Sequence, residues 1–427
     1  MKQTVTLALL AGANILTTLL FQWYVITQLG VGIETDALFA GMAIPQLILT
    51  VVSTSLTHVL VPLLATEDAS TFRQNAWGFF LGISGMFTML ALVLNVTANY
   101  WVPWLVPGFS KAAQALTVSL TRIQLVSMIF MASVSVLWSV YHAKHKFVWV
   151  ELSTLISSLL GLVLLIVFLP AYGVAGAALL IVIRTGLQLV WLLPGLGRCE
   201  WPDWHSEAMR EAWRRIRPLL LGTAYYRTDP LVDRYLASMA PAGGLSLLYI
   251  GQQIYGAAGV VAEKAIASPM VPMLAQQAGA GQWREFRRTY QRRLLAMGGL
   301  TVLGYIILLV AGERILDLLI GHGGVTRDNV HLLWLIMVAL VGFFIAGAMG
   351  VVTSKTFYAM GDTRTPTRMS IVTYTLYIPA KVLGFLRYGL LGLAVVTSAY
   401  LLLNLVIQIL LLEGYAIPRQ ERQIQKS

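Results

Sequence analysis

The sequence predicts an all-α integral membrane protein of about twelve spanning helices arranged in two six-helix halves. Three observations carry that prediction. Charge is scarce: 57% of the 427 residues are hydrophobic and 11% are charged, with a mean hydropathy of +0.74. Soluble domains carry roughly 25% charged residues, so the bilayer must solvate most of this chain. Apolar stretches of spanning length, about 20 residues, recur from one end to the other. Short motifs of the first half return in the second half in the same order.

The stretches run 4–29, 37–64, 75–104, 112–142, 147–169 and 173–195, then resume at 218–239, 244–277, 294–320, 328–358, 369–386 and 389–413. The first is too long for a signal-peptide core and lacks a cleavage site, so it reads as a spanning helix. An even count puts both termini on one side. Alternate connections carry the cations: Arg73, then Lys144 and Lys146, then Arg198 to Arg217, Arg284 to Arg293, Arg364 with Arg368, and Arg419 to Lys426. The opposite connections are short and poor in Lys and Arg. By the positive-inside rule the cationic set is cytoplasmic, and so are both termini.

This placement explains the net charge of +11 as topological, not as a nucleic-acid surface. The single Cys199 excludes an internal disulfide, and His58, His142, His145 and His331 show no ligand spacing, so no metal site is expected. No Walker sequence is present. No cofactor is expected, ATP is excluded as the direct energy source, and coupling to an ion or to the membrane potential stays open. Two cytoplasmic segments are amphipathic. In 201–217, Trp201, Trp204 and Trp213 alternate with basic residues; in 282–293, Trp283, Phe286 and Tyr290 stand among arginines. Both are expected to lie in the interface, aromatics toward the acyl chains and cations toward anionic headgroups.

The repeat is read from paired motifs. Val61-Pro62-Leu63-Leu64-Ala65 matches Val271-Pro272-Met273-Leu274-Ala275, and Phe72-Arg73-Gln74 matches Trp283-Arg284-Glu285. Tyr141-His142-Ala143 matches Phe357-Tyr358-Ala359, and Tyr172-Gly173 matches Tyr388-Gly389. The reading gives an N-terminal lobe 1–197, a cytoplasmic amphipathic linker 198–217 and a C-terminal lobe 218–427. With six helices each, both halves enter from the cytoplasm, so the repeat is parallel, about a pseudo-twofold along the membrane normal. That duplication suits a transporter with a central cavity opened alternately to either side.

The motifs Gly30-Val31-Gly32-Ile33-Glu34-Thr35-Asp36-Ala37-Leu38-Phe39, Asp233-Arg234-Tyr235-Leu236-Ala237-Ser238 and Phe357-Tyr358-Ala359-Met360-Gly361-Asp362-Thr363-Arg364-Thr365-Pro366 resemble the MurJ-like (MviN-like) lipid II flippases. That family belongs to the superfamily of multidrug exporters and polysaccharide flippases (MOP). The resemblance implies a V-shaped two-lobe fold in a bacterial inner membrane. It also implies an undecaprenyl-pyrophosphate-linked saccharide as partner, moved from the cytoplasmic to the periplasmic leaflet, with membrane lipids and glycan-assembly enzymes as further partners. Asp36 matches a charged family position. The family's arginines on the first two helices are replaced here by Ile15, Phe21, Gln22, Leu49 and Thr50, and Gln252 and Gln253 stand where its eighth helix carries an acid–arginine pair. The family's extra pair of C-terminal helices has no match in the sequence. The cargo therefore stays open between lipid II and another lipid-linked glycan, such as an exopolysaccharide or O-antigen unit.

A charge near the centre of a spanning helix costs at least about 2.5–3.5 kcal/mol on insertion scales, so each implies a cavity or a partner. The candidates are Arg122, Glu151, Arg184, Arg227, Asp229, Asp233, Arg234, Glu263, Lys264 and Lys381. Arg227, Asp229, Asp233 and Arg234 cluster on the seventh helix, where a salt-bridge set and a headgroup site are both open readings. Arg122, Arg184, Lys264 and Lys381 can replace the missing first-helix cations toward a pyrophosphate, arginine being suited by its bidentate geometry. Two competing functions are a small-molecule exporter of the same superfamily and a membrane enzyme acting on the lipid carrier. The external connections are too short for the latter.

Overall fold

The computed structural model describes residues 2–418; the side chains of 2–5, 53–55, 58, 69, 217–224 and 226 fall outside the described set. Expectations resting on the side chains of His58 and Arg217, or on Arg419, Arg422 and Lys426, therefore lie outside the described residues. Every regular element among the described residues is helical. The chain divides into two compact units, Met1–Ser246 and Leu247–Ser427.

The first unit contains α1 (Lys2–Leu29), α2 (Ile33–Gly41), α3 (Ala43–Ala65), α4 (Ala69–Val96), α5 (Ala98–Leu105) and α6 (Lys111–Ala143). It continues with α7 (Phe147–Leu192), α8 (Glu207–Ala224) and α9 (Asp229–Ala237), and it ends on the opening residues of α10 (Gly244–Ala262). Ser110 and Ser206 start α6 and α8 by accepting from the backbone amides of Ala113 and Met209, each satisfying one donor that the helix leaves open. α8 turns Ala212 and Ile216 into a core with Leu60, Leu64, Phe72, Phe79 and Tyr141, while Trp213 stays exposed. Its neighbour Glu67 accepts from Asn75 at 2.7 Å. Burial pushes the Glu67 carboxyl above its ordinary value of 4.5 despite that hydrogen bond, and the nearby Asp68 adds to the rise.

The second unit holds the rest of α10, then α11 (Met270–Gly279), α12 (Trp283–Ile320), α13 (Arg327–Ala339), α14 (Val341–Ala359) and α15 (Arg364–Leu411). A π-turn over Glu263–Ala267 and Pro269 separate α10 from α11. The core gathers Leu274, Trp283, Phe286, Tyr290, Met297, Phe357, Leu412 and Ile417. Here an expectation is corrected. Trp283, Phe286 and Tyr290 are buried in protein and do not face the acyl boundary, because their i, i+3, i+7 spacing forms the face of α12 that meets the other helices of this unit.

Nine helical stretches among the described residues are long and apolar enough to cross a membrane. Two of them are hairpins. α7 reverses at Gly173 (φ 54°, ψ −143°) and α15 at Gly389 (φ 60°, ψ −141°), backbone conformations in effect restricted to glycine. The arms of α7 meet through Gln188 and Thr154 at 2.8 Å and through the stacked rings of Trp149 and Trp191. Those of α15 meet through Tyr377 and Thr397 at 2.7 Å and through Asn404 and Thr373 at 2.9 Å. The two turning glycines lie 216 residues apart. At the same offset, the Lys146 amide donates to Tyr141 at 2.9 Å and the Asp362 amide to Phe357 at 3.0 Å. Between these partners His145 (φ 57°) and Gly361 (φ 78°) take the same left-handed turn. The motif pairs thus fold alike in each unit. The expected seventh helix is interrupted, with a 3-10 turn at Tyr226–Thr228 between α8 and α9.

Candidate functional site

Two buried charges of the first unit meet α2 at its two ends, Asp36 in its first turn and Arg234 near its last. Asp36, 2% exposed, accepts from the backbone amides of Gly243 at 2.6 Å and Ser246 at 2.8 Å and from the Ser246 hydroxyl at 2.6 Å. It thereby takes up amides that the opening of α10 leaves without intrahelical partners. Arg234, 5% exposed, donates from Nε to the Phe39 carbonyl at 3.3 Å, from Nη1 to Pro230 at 3.0 Å and from Nη2 to Gln46 at 3.5 Å. Gln124 donates to the neighbouring Leu38 carbonyl at 3.1 Å. Two carbonyls at the C-terminal end of α2 thus meet side-chain donors, one of them cationic, which the helix dipole favours. α2 can therefore break from α3 at Met42, and Gly41 lies close against Thr121 and Gln124 of α6.

The remaining cluster residues differ in burial. Asp233 is buried beside Arg234, Asp229 is half-buried at the start of α9, and Arg227 is exposed on the 3-10 turn. Arg122 and Asn95 are paired reciprocally: Arg122 Nε donates to the Asn95 carbonyl at 3.3 Å, and Asn95 Nδ2 to the Arg122 carbonyl at 3.2 Å. Arg184 is half-buried on the return arm of α7, its stem against Gly161 and its guanidinium 5.9 Å from the centre of the Phe21 ring of α1. Along the same α1–α7 contact, Asn14 donates to the Glu151 carboxylate at 2.8 Å and to its carbonyl at 3.1 Å. This interface therefore joins a cation, a carboxylate and an amide inside spanning helices.

The second unit carries two polar groupings. Lys381 is fully buried, with Nζ 4.8 Å from the centre of the Tyr377 ring, which stacks on Tyr400 at 4.2 Å. From that point a line of buried hydroxyls and amides follows the hairpin: Tyr377 to Thr397, Asn404 to Thr373, Gln408 to Asn404, and Thr353 to Gln408. The other grouping sits at the π-turn, where Lys355 pairs with Glu263 at 2.8 Å and donates to Ser268 at 3.1 Å, while Lys264 points outward and is exposed. The motif reading did not single out Lys355, whose partner Glu263 is remote in sequence. No cluster of His, Cys, Asp or Glu suited to a metal occurs among the described residues.

A sequence profile described as "Lipid II flippase MurJ" matches residues 25–425, nearly the whole chain. The chain belongs to the MurJ family. A curated MurJ relative from Bdellovibrio bacteriovorus, named "Probable lipid II flippase MurJ", is 22% identical over 412 residues, covering 90% of this chain and 76% of the relative. One of the same name from Vibrio cholerae is 22% identical over 406 residues, covering 89% and 76%. Among solved structures, an inward closed lipid II flippase MurJ superposes with a TM-score of 0.81 at 16% identity, over 97% of this chain and 89% of that one. An inward-facing multidrug resistance MATE family transporter of the MOP superfamily gives 0.77 at 14%, over 98% and 95%. Fold class and MurJ membership therefore agree with the sequence reading, and the chain is a multi-pass membrane protein of a flippase family, not an enzyme. At these identities the solved structures speak for the fold alone.

Proposed function

We propose that this protein moves an undecaprenyl-pyrophosphate-linked saccharide from the cytoplasmic to the periplasmic leaflet of a bacterial inner membrane by alternating access, both termini being cytoplasmic. Lipid II or an exopolysaccharide or O-antigen unit is the cargo. The observation that supports this reading most is the match to the lipid II flippase family over residues 25–425. A pyrophosphate inside a membrane needs cations held at apolar depth, and arginine meets it with two parallel donors. Arg184 fits that role best, half-buried on spanning helices and supported by Phe21. Arg227 and Lys264, both exposed, are the next candidates. Asp36, Arg122 and Arg234 act instead through the backbone groups they satisfy, and Asp229, Asp233 and Lys381 help hold the polar interior. The lobes 1–197 and 218–427, joined by the linker 198–217, are the repeated parts.

The test is flipping of fluorescent lipid-linked oligosaccharides in vesicles. Arg184→Gln should cut the rate at least tenfold with an unchanged melting temperature; wild-type flipping by Arg184→Gln, Arg227→Gln and Lys264→Gln alike refutes the cationic assignment. Growth of cells depleted of their own lipid II flippase separates lipid II from the other glycans. Export of small cationic dyes without lipid flipping would establish the exporter reading instead.

A further inference from the structure

The N-terminal end of α12 carries more arginines than the described carboxylates of its unit pair with. Residues 283–293 contain five arginines and one glutamate. Arg287 is taken up by Glu413 at 3.1 Å. Arg284, Arg288 and Arg292 are exposed, and none of the three makes an ion pair or hydrogen bond among the described residues. Their i, i+4, i+8 spacing stacks them on one face, about 6 Å apart in rise and roughly 12 Å from first to last. Three like charges so placed repel one another, so a ladder of this kind calls for an anionic counterpart.

The same face continues along the spanning part of the helix. At about 100° per residue, Leu295, Val302, Ile306 and Val310 fall within the roughly 80° arc that holds the three arginines. All four are exposed, Leu295 by 73% and Val310 by 82%, which on a spanning helix marks the side that meets acyl chains. The buried Trp283, Phe286, Tyr290, Leu294 and Met297 occupy the opposite side.

The first unit supplies an internal comparison. Its buried Phe72, Asn75 and Phe79 repeat the spacing of Trp283, Phe286 and Tyr290, 211 residues earlier. There the chain itself covers the adjoining face: Arg73 pairs with Glu200 at 2.5 Å, Trp77 donates to the Arg198 carbonyl at 2.9 Å, and Trp204 lies over Gly82. In the second unit the corresponding face is cationic and exposed among the described residues.

We infer that Arg284, Arg288 and Arg292 form a binding site for anionic phospholipid headgroups, with the lipid's acyl chains lying along Leu295 to Val310. The site concerns lipids of the surrounding leaflet, not the cargo, and it stands whether or not the flipping proposal does. A phosphate on the ladder accepts charge-assisted hydrogen bonds from adjacent guanidinium groups. Collinearity with the acyl-facing stripe favours a lipid over an acidic protein, which would gain nothing from Leu295 to Val310.

The experiment is native mass spectrometry of the full-length protein titrated with phosphatidylglycerol or phosphatidylcholine. Each arginine is worth roughly a fivefold gain in affinity for an anionic lipid near a membrane surface, so R284Q/R288Q/R292Q should weaken the phosphatidylglycerol adduct on the order of a hundredfold. Phosphatidylcholine adducts should not change. The charge-keeping R284K/R288K/R292K, run beside it with circular dichroism of both variants, should retain most of the binding. Equal phosphatidylglycerol binding by wild type and the glutamine variant overturns the site. So does loss of undecaprenyl-pyrophosphate binding with phosphatidylglycerol binding intact, which would assign the ladder to the cargo. Displacement of the lipid by a poly-glutamate peptide at equal phosphate and carboxylate concentration would assign it to an acidic protein.

Discussion

Replacing Asp36 by alanine removes the acceptor for three donors that have no water to turn to. The carboxylate is 2% exposed and takes the amides of Gly243 and Ser246 and the Ser246 hydroxyl, all within 2.8 Å. A buried donor left without a partner costs about 1–3 kcal/mol. The hydroxyl can rotate to another acceptor, whereas the two amides cannot, so Asp36→Ala should destabilise the first unit by about 3–5 kcal/mol. With roughly 2–4 °C per kcal/mol for a unit of this size, the melting temperature should fall on the order of 10 °C. Ser246→Ala removes one hydrogen bond and leaves the carboxylate two, which predicts a loss of about 1 kcal/mol. In the double variant that second loss should vanish, since its acceptor is already gone. Thermal unfolding in detergent, followed by tryptophan fluorescence, reads all three. A melting temperature unchanged in Asp36→Ala, with flipping abolished, would show that the aspartate serves cargo and that its hydrogen bonds are incidental.

Other outcomes follow from the same structure. Gly173→Ala and Gly389→Ala should each cost about 1–3 kcal/mol purely through backbone strain, because an added Cβ meets nothing within 4 Å at either position. Gly12→Ala, equally open but inside α1, should stabilise by up to about 1 kcal/mol, and the opposite signs in one thermal assay make the comparison decisive. Glu67 titrates above 4.5 when folded, so its contribution to stability is greatest below that pH and is lost as pH rises through the folded value. Glu67→Gln should therefore melt higher than wild type at pH 8, by less than about 1 kcal/mol given its partial exposure, and no higher at pH 4; an equal gain at both would rule out titration as the cause. Arg234→Met should destabilise by about 2–5 kcal/mol through the carbonyls it leaves open, whereas Arg234→Lys should recover only part of this, one ammonium being unable to reach Phe39, Pro230 and Gln46 together.

What the sequence made legible was what composition and local pattern control. The spanning stretches, the motif pairs and the family resemblance are local, and the turns at Gly173 and Gly389 were already marked by matching Tyr-Gly dipeptides. The destinations of charged side chains were less accessible. In the sequence Arg122 reads as a cation for a pyrophosphate, and Arg234 as part of either a salt-bridge set or a headgroup site; each donates to a backbone carbonyl, a contact that leaves no trace in residue type. Lys355 and Glu263 meet only because α14 folds against the π-turn. The aromatics of 283–290 are the instructive error: a stripe of Trp, Phe and Tyr among arginines reads the same whether it faces lipid or protein, and only the packing of α12 decides.

The glycine turns of α7 and α15 also bear on biogenesis. A connection that departs from helical geometry at a single residue offers little hydrophilic chain for export on its own, with Arg387 the one charged residue beside either turn. Each hairpin is then expected to enter the bilayer as a pair, its two arms crossing together. Tyr172 and Tyr388, exposed by 63% and 73% beside the turns, are suited to stop that entry at the far headgroup layer. A tag or protease site inserted at either turn would then be expected to block insertion of both arms, leaving the preceding helices in place and the chain beyond them stranded on the side of synthesis.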